Sequence, residues 1–184
     1  IHKENPISDL KKKKVDILVN LSASPYTFKK LELRSKVSSF AAKYLQVPLI
    51  YVNQIGANDN LIFDGNSFIL DKNGSKIKQL KSFSEDLSSW HIEQTIPEKK
   101  EFEQSEISSI FDALVLGVRD YAQKCGFKTA LIGLSGGIDS ALVSAIATAA
   151  LGSNNIYCVS MPSKWSSSHS KSDAKDLARR LKIN

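Results

Sequence analysis

Cysteine is scarce in this sequence. Cys125 and Cys158 are the only two, too few for a disulfide scaffold or a four-cysteine zinc site. His2, His91 and His169 stand far apart and form no metal-ligand spacing. No apolar run approaches the roughly 20 residues that a membrane-spanning helix needs. The chain begins at Ile1 without a methionine, and no basic-then-apolar leader pattern follows. That start sets the expectation of a piece of a longer protein. A large excess of one charge is missing too. Lys and Arg number 25 against 19 Asp and Glu, a net +6, and the basic residues are spread along the chain. The one basic run, Lys11, Lys12, Lys13 and Lys14, precedes an apolar segment and reads as a solvated turn. No basic stripe interleaved with aromatics is present, so no nucleic-acid partner is expected, and none in a membrane. A modest positive field suits an enzyme whose substrates carry phosphates. A hydrophobic fraction of 42% supports a packed core and excludes a disordered chain.

What is present reads as α/β. Residues 15–21 are apolar and rich in β-branched side chains, as in a buried strand. Pro25 breaks the run. Over residues 27–46 the spacing of Leu33, Val37, Phe40, Ala41 and Tyr44 predicts an amphipathic helix with its Lys and Arg outward. A second strand is predicted over 47–52, with Pro48 near its start. Strand, helix and strand make a βαβ-type unit. Residues 61–65, 67–70 and 76–80 then read as short antiparallel strands, with a turn at Asn73-Gly74.

Residues 96–104 are charged and aperiodic, as in a linker. Ser105 is the expected N-cap of a helix whose apolar stripe is Ile107, Ile110, Phe111, Leu114, Val118 and Tyr121, ended by Gly126. A strand over 129–134, an alanine-rich helix over 141–151, a strand over 156–161 and a helix from Ser170 through Leu181 follow. The expected domains are 1–95 and 105–184.

The chemically informative stretch is Gly133-Leu134-Ser135-Gly136-Gly137-Ile138-Asp139-Ser140, leaving a strand and opening a helix. Adjacent glycines let the backbone turn and approach a ligand closely. The helix start offers unpaired N–H groups and about half a positive charge, which suits phosphate or pyrophosphate. Ser135 and Ser140 add hydroxyls. Asp139 makes sense beside a polyphosphate if it holds Mg²⁺. The stretch is neither a Walker A loop nor a G-x-G-x-x-G fingerprint. It does match G-x-S-x-G, so a nucleophile elbow at Ser135 is a competitor. That reading needs an acid and then a histidine downstream, and only His169 follows.

Ser135-Gly136-Gly137-Ile138-Asp139-Ser140 after a strand resembles the pyrophosphate loop of the N-type ATP pyrophosphatases. With Val159-Ser160-Met161-Pro162-Ser163 and the serine run through Ser170, it is most similar to NAD synthetases. Asn20-Leu21-Ser22-Ala23-Ser24-Pro25-Tyr26, Tyr51-Val52-Asn53-Gln54-Ile55-Gly56 and Phe63-Asp64-Gly65-Asn66-Ser67-Phe68 resemble nitrilase-like carbon-nitrogen hydrolases. In that order, the two resemble the glutamine-dependent NAD synthetases.

The resemblance implies the end of a nitrilase-like α/β sandwich followed by the start of a Rossmann-like, adenine nucleotide alpha hydrolase-like domain with a parallel sheet. It implies ATP-dependent amidation of deamido-NAD with ammonia from glutamine, through an adenylate, in a cytoplasmic homo-oligomer. By resemblance, the 133–140 loop holds ATP phosphates, Asp139 binds Mg²⁺, and Ser24 and Lys30 contact glutamine; the chemistry fits a zwitterionic substrate, with Lys30 at its α-carboxylate and Ser24 accepting from its amine. The glutaminase nucleophile and its Glu and Lys partners have no counterpart here and are expected upstream of Ile1. Catalytic residues are therefore expected outside this chain, which alone should not hydrolyse glutamine. Cys125 and Cys158 are expected to be buried thiols. Lys164 and Trp165 are weaker candidates for a loop over the triphosphate, and His169 is a helix-start residue. A GMP-synthetase-like amidotransferase and a nucleotide-binding module without catalysis are the alternatives.

Overall fold

A computed structural model describes residues 6–93, 105–162, 165 and 167–184. The expected linker at 96–104 and Lys164 lie outside the described residues. The chain divides into two compact units, Ile1–Gly56 with Leu61–Glu106, and Ala57–Asn60 with Ile107–Asn184. No helix among the described residues is long and apolar enough to cross a membrane.

In the first half the elements run α1 (Pro6–Lys12), β1 (Leu18–Ser22), α2 (Lys30–Leu45), β2 (Leu49–Asn53), β3 (Ile55–Asn58), β4 (Leu61–Asp64), β5 (Phe68–Leu70) and β6 (Lys76–Gln79). The main sheet has the order β1-β2-β5-β6, and β3 pairs with β4. β1 and β2 are parallel, in register from Leu18 opposite Leu49 to Ser22 opposite Asn53. They form the expected βαβ unit around α2. β5 and β6 add antiparallel strands. β1 starts at Leu18, not residue 15, because β2 begins only after Pro48, so residues 15–17 have no partner strand. Lys11 and Lys12 are not in a turn but in the last turn of α1, which Pro6 opens with its preset φ.

The core lies between α2 and one sheet face: Ala41, Ala42, Leu49, Tyr51, Phe68 and Leu70. The Tyr51 and Phe68 rings stack at 4.9 Å. Here four of the five residues of the expected stripe face outward, and Ala41 alone of them is buried. Leu33, Val37, Phe40 and Tyr44 are exposed, while Arg34, Ser38, Ala41, Ala42 and Leu45 are buried. Small side chains let α2 approach the sheet closely, and Arg34 is tolerated inside because each of its guanidinium nitrogens finds an acceptor there.

The Asn73-Gly74 turn is as expected. Asp71 Oδ1 accepts from the N–H groups of Asn73 and Ser75 at 2.9 and 2.7 Å, and Gly74 takes φ +73°. A Cβ on Gly74 would sit 2.3 Å from Ser39 Oγ and 2.8 Å from the Ser39 carbonyl oxygen. Gly74→Ala should therefore lower stability by about 2 kcal/mol, from left-handed backbone and overpacking together. Urea unfolding of the variant against the native chain measures it; an unchanged midpoint would refute the contact.

In the second half follow α3 (Glu106–Lys124), β7 (Ala130–Gly133), α4 (Ile138–Leu151), a 3₁₀ turn (Ser153–Asn155), β8 (Ile156–Val159) and α5 (Ser168–Leu181). β7 and β8 are parallel, with Ala130 opposite Ile156 and Gly133 opposite Val159. On α3 too most of the expected stripe is exposed, with Phe111 half-buried. Ile107, Ile110, Leu114, Val118 and Tyr121 are exposed, and Ala113, Val115, Leu116 and Ala122 are buried. α4 starts at Ile138 rather than 141, because Gly137 ends the loop in extended backbone and the acidic Asp139 suits a first turn. α5 starts at Ser168, capped by Ser167, whose side chain accepts from the Ser170 N–H at 3.1 Å. Ser170 is thus inside the first turn rather than its opener. The two thiols depart from expectation as well: Cys125 is exposed and Cys158 only half-buried.

Candidate functional site

β7 delivers the chain to Leu134, which is buried and donates its N–H to the Val159 carbonyl at 2.9 Å. That bond anchors the loop at the carboxyl ends of two parallel strands, where α/β sheets bind ligands. Gly136 then turns with φ +85°. Gly137 caps α4 at φ −87° and brings no side-chain oxygen to the first-turn N–H groups. The cap is a bare backbone end, suited to an external anion.

The two hydroxyls hold the loop's shape. Ser140 Oγ donates to the Gly137 carbonyl at 3.0 Å, meets Ser135 Oγ at 3.1 Å and accepts from the Ser135 N–H at 3.3 Å. The Gly137 N–H donates to Ser135 Oγ at 3.2 Å. Ser135 is thus bound to Ser140 and backbone, not to an imidazole, and the positive φ falls on Gly136, not on Ser135. Neither feature suits a nucleophile elbow, whose serine occupies the strained turn beside a histidine base. His169 is an exposed residue in the first turn of α5.

A contact across 34 residues of sequence completes the loop. A Cβ on Gly136 would lie 2.2 Å from the Ser170 carbonyl oxygen and 2.8 Å from its carbon. The backbone of the loop therefore rests directly on the first turn of α5. Sequence reading missed this role of Ser170.

Asp139 is exposed in the first turn of α4. Ile138 beside it is also exposed, so its contribution to the site is backbone. Among the described residues no cluster of three or more His, Cys, Asp or Glu converges on a metal position. A lone carboxylate fits Mg²⁺ in one way: Mg²⁺ is commonly held by one or two carboxylates together with phosphate oxygens and water.

The first half holds a different constellation. Ser24 follows β1 and is half-buried; Lys30 is half-buried in the first turn of α2. No hydrogen bond joins them among the described residues. Ser24 is instead tied to Asn53 and Arg34. Its N–H donates to Asn53 Oδ1 at 2.9 Å, and Asn53 Nδ2 donates to its carbonyl at 3.2 Å. Arg34 Nε donates to Ser24 Oγ at 3.1 Å, and Nη2 to the carbonyls of Ser24 and Pro25 at 2.7 and 3.0 Å. Nη1 faces both Asp64 oxygens at 2.8 and 3.0 Å. These bonds engage all three guanidinium nitrogens. Asn66 Nδ2 donates to Asp64 Oδ2 at 2.8 Å, and Gln79 Nε2 to Asn66 Oδ1 at 3.0 Å. The Arg34 and Asp64 side chains are only 4% and 2% exposed, so this is an ion pair inside the fold. The sequence signal that would have found it is an acid closing the apolar run Leu61-Ile62-Phe63, since a buried carboxylate requires a partner.

Comparison with known proteins agrees with both halves. Residues 1–100 match the family model described as carbon-nitrogen hydrolase, and residues 110–184 the one described as NAD synthase. A glutamine-dependent NAD(+) synthetase of Synechocystis sp. is 48% identical over 98% of this chain and 33% of its own length. One from Acinetobacter baylyi is 40% identical over 97% of this chain and 34% of its own. A solved glutamine-dependent NAD+ synthetase of Acinetobacter baumannii, in complex with ADP, superposes with a TM-score of 0.89 at 37% identity, over 97% of this chain and 35% of that one. The chain thus spans about a third of the length of the curated relatives it matches. With the Ser24 corner inside the first match and the glycine loop inside the second, the chain belongs to the carbon-nitrogen hydrolase family through residues 1–100 and continues into an NAD synthase segment, the pairing found in glutamine-dependent NAD synthetases.

Proposed function

We propose that this chain works as part of a longer glutamine-dependent NAD synthetase that amidates deamido-NAD to NAD. The observation that carries the reading is the 133–140 loop: a bare helix N-terminus behind two glycines and two hydroxyls, inside the NAD synthase match. In the reaction the carboxylate of deamido-NAD displaces pyrophosphate from ATP, and ammonia then displaces AMP from the adenylate. Negative charge gathers on the departing pyrophosphate. The first-turn N–H groups of α4 would meet it, with the hydroxyls of Ser135 and Ser140 holding the loop in shape around them, and preorganised donors of this kind are worth most where charge develops. Asp139 would hold Mg²⁺ shared with the phosphates; bound there, Mg²⁺ neutralises phosphate charge.

Ammonia would come from glutamine in the carbon-nitrogen hydrolase domain. Ser24 and Lys30 are the proposed glutamine contacts. Lys30 has no ion pair among the described residues, which leaves its charge available to an α-carboxylate. A cytoplasmic homo-oligomer completes the proposal.

Asp139→Asn in the full-length protein tests the loop, because it removes charge while keeping shape. Pyrophosphate release with ammonia as nitrogen donor should fall by about 100-fold, and glutamine hydrolysis should stay within about twofold. Native-like pyrophosphate release would sink the Mg²⁺ assignment. Failure of the native full-length protein to make NAD from deamido-NAD, ATP and ammonia would sink the whole reading.

A further inference from the structure

All three guanidinium nitrogens of Arg34 are bonded inside the fold, to Asp64, Ser24 and Pro25, and its side chain is only 4% exposed. It therefore acts on whatever lies nearby only through the groups it holds, and three of those five bonds go to Ser24 and Pro25.

A serine hydroxyl has one proton to give and two lone pairs. Arg34 Nε claims one lone pair of Ser24 Oγ at 3.1 Å. The donor is cationic, so the hydroxyl proton turns away from α2. The rest of Ser24 is equally constrained, by Asn53 at its N–H and by Arg34 and Asn53 at its carbonyl. Asn53 is itself held, its N–H donating to Ser67 Oγ at 3.0 Å. Asp64 in turn fixes the guanidinium, and Asn66 fixes Asp64.

We infer that Arg34 is a positioning residue for the glutamine site: by taking one lone pair of Ser24 Oγ it turns the hydroxyl proton away from itself, so that Ser24 gives that proton to an oxygen of bound glutamine. This rests on the proposed glutamine role of Ser24. It adds a donor role to the accepting one expected of Ser24, and it adds to the site a residue that touches no substrate.

The test uses the full-length protein, assayed for NAD formation with glutamine and, separately, with ammonia. Arg34→Lys keeps a charge beside Asp64 but lacks the planar fork that reaches Ser24 and Pro25. Its KM for glutamine should rise by about tenfold while the ammonia-driven rate stays within about twofold. Ser24→Ala should raise the glutamine KM by a similar factor. The double variant should be no worse than about twofold beyond the worse single one, because one acts through the other. A merely structural role would instead depress both nitrogen sources together or make the two substitutions multiply; either result, or a native KM in Arg34→Lys, overturns the inference. Should Arg34→Lys fail to fold, Ser24→Ala alone decides, since a native glutamine KM there removes the donor. Ammonia-driven synthesis absent from the native protein would overturn the proposed function instead, which keeps the two failures distinct.

Discussion

Replacing Gly136 with alanine should cripple the nucleotide half of the protein while leaving the other half intact. Gly136 carries φ +85°. For an L-residue the left-handed backbone costs roughly 1–2 kcal/mol. The larger effect is steric. The new methyl would sit 2.2 Å from the Ser170 carbonyl oxygen, 2.8 Å from its carbon and 2.9 Å from its Cα. These are backbone atoms in the first turn of α5, so no rotamer change relieves the overlap. Either the loop or the helix start must move by about an ångström, and a shift of that size near reacting groups costs on the order of 100-fold in rate. Ammonia-dependent NAD synthesis by the full-length Gly136→Ala variant should fall by about that factor or more.

The neighbouring glycine supplies the control. Gly137 has φ −87°, and a Cβ there would lie 3.4 Å from Ser135 Oγ, a side-chain atom. Gly137→Ala should fold normally and lose much less activity. If both variants behave alike, glycine content rather than the Ser170 contact governs the loop.

The contrast between these glycines marks what sequence could and could not show. The 133–140 stretch was legible because its chemistry is local: glycines, hydroxyls and a carboxylate stand side by side, and strand and helix periodicities flank them. Which glycine is irreplaceable depends on Ser170, 34 residues away, and nothing in the loop announces that neighbour. The βαβ unit and the antiparallel strands after it were legible for the same reason, as runs of β-branched residues and an Asn73-Gly74 turn. Two helix faces were not. Apolar periodicity on α2 and α3 correctly located helices, yet Leu33, Val37, Phe40 and Tyr44 stand exposed. The buried stripe is made of Ala41, Ala42 and Ser38, which pack through proximity rather than bulk, with Arg34 among them. A periodic pattern identifies a helix with two distinguishable sides; it does not say which side has a partner. The sequence pattern puts Arg34 on the solvated side, where arginine usually lies. Its partners lie 10 and 30 residues away, on elements that only the folded sheet brings together.

That burial sets up the second large effect, on stability. Arg34→Met should destabilise the first unit by about 3–5 kcal/mol, the usual cost of removing one partner from a buried ion pair. Methionine fills much of the volume, so little of the loss is cavity. Most of it comes from leaving the Asp64 carboxylate without its cation, the Pro25 carbonyl without its donor and the Ser24 carbonyl with Asn53 alone. The decisive comparison adds Asp64→Asn. In the double variant no charge is stranded, and an asparagine can still meet Asn66. If the loss in Arg34→Met is chiefly an uncompensated charge, the double variant should be more stable than Arg34→Met alone, although it carries one more substitution. If the pair instead contributes through its geometry as a clamp on the 24–25 loop, the second substitution should add to the damage. Urea unfolding of the native, single and double variants, compared at one pH, separates the two. Recovery would mean that the attraction between Arg34 and Asp64 mainly offsets the cost of burying each. The remaining deficit then measures the clamp itself, the three bonds that run from the guanidinium to Ser24 and Pro25.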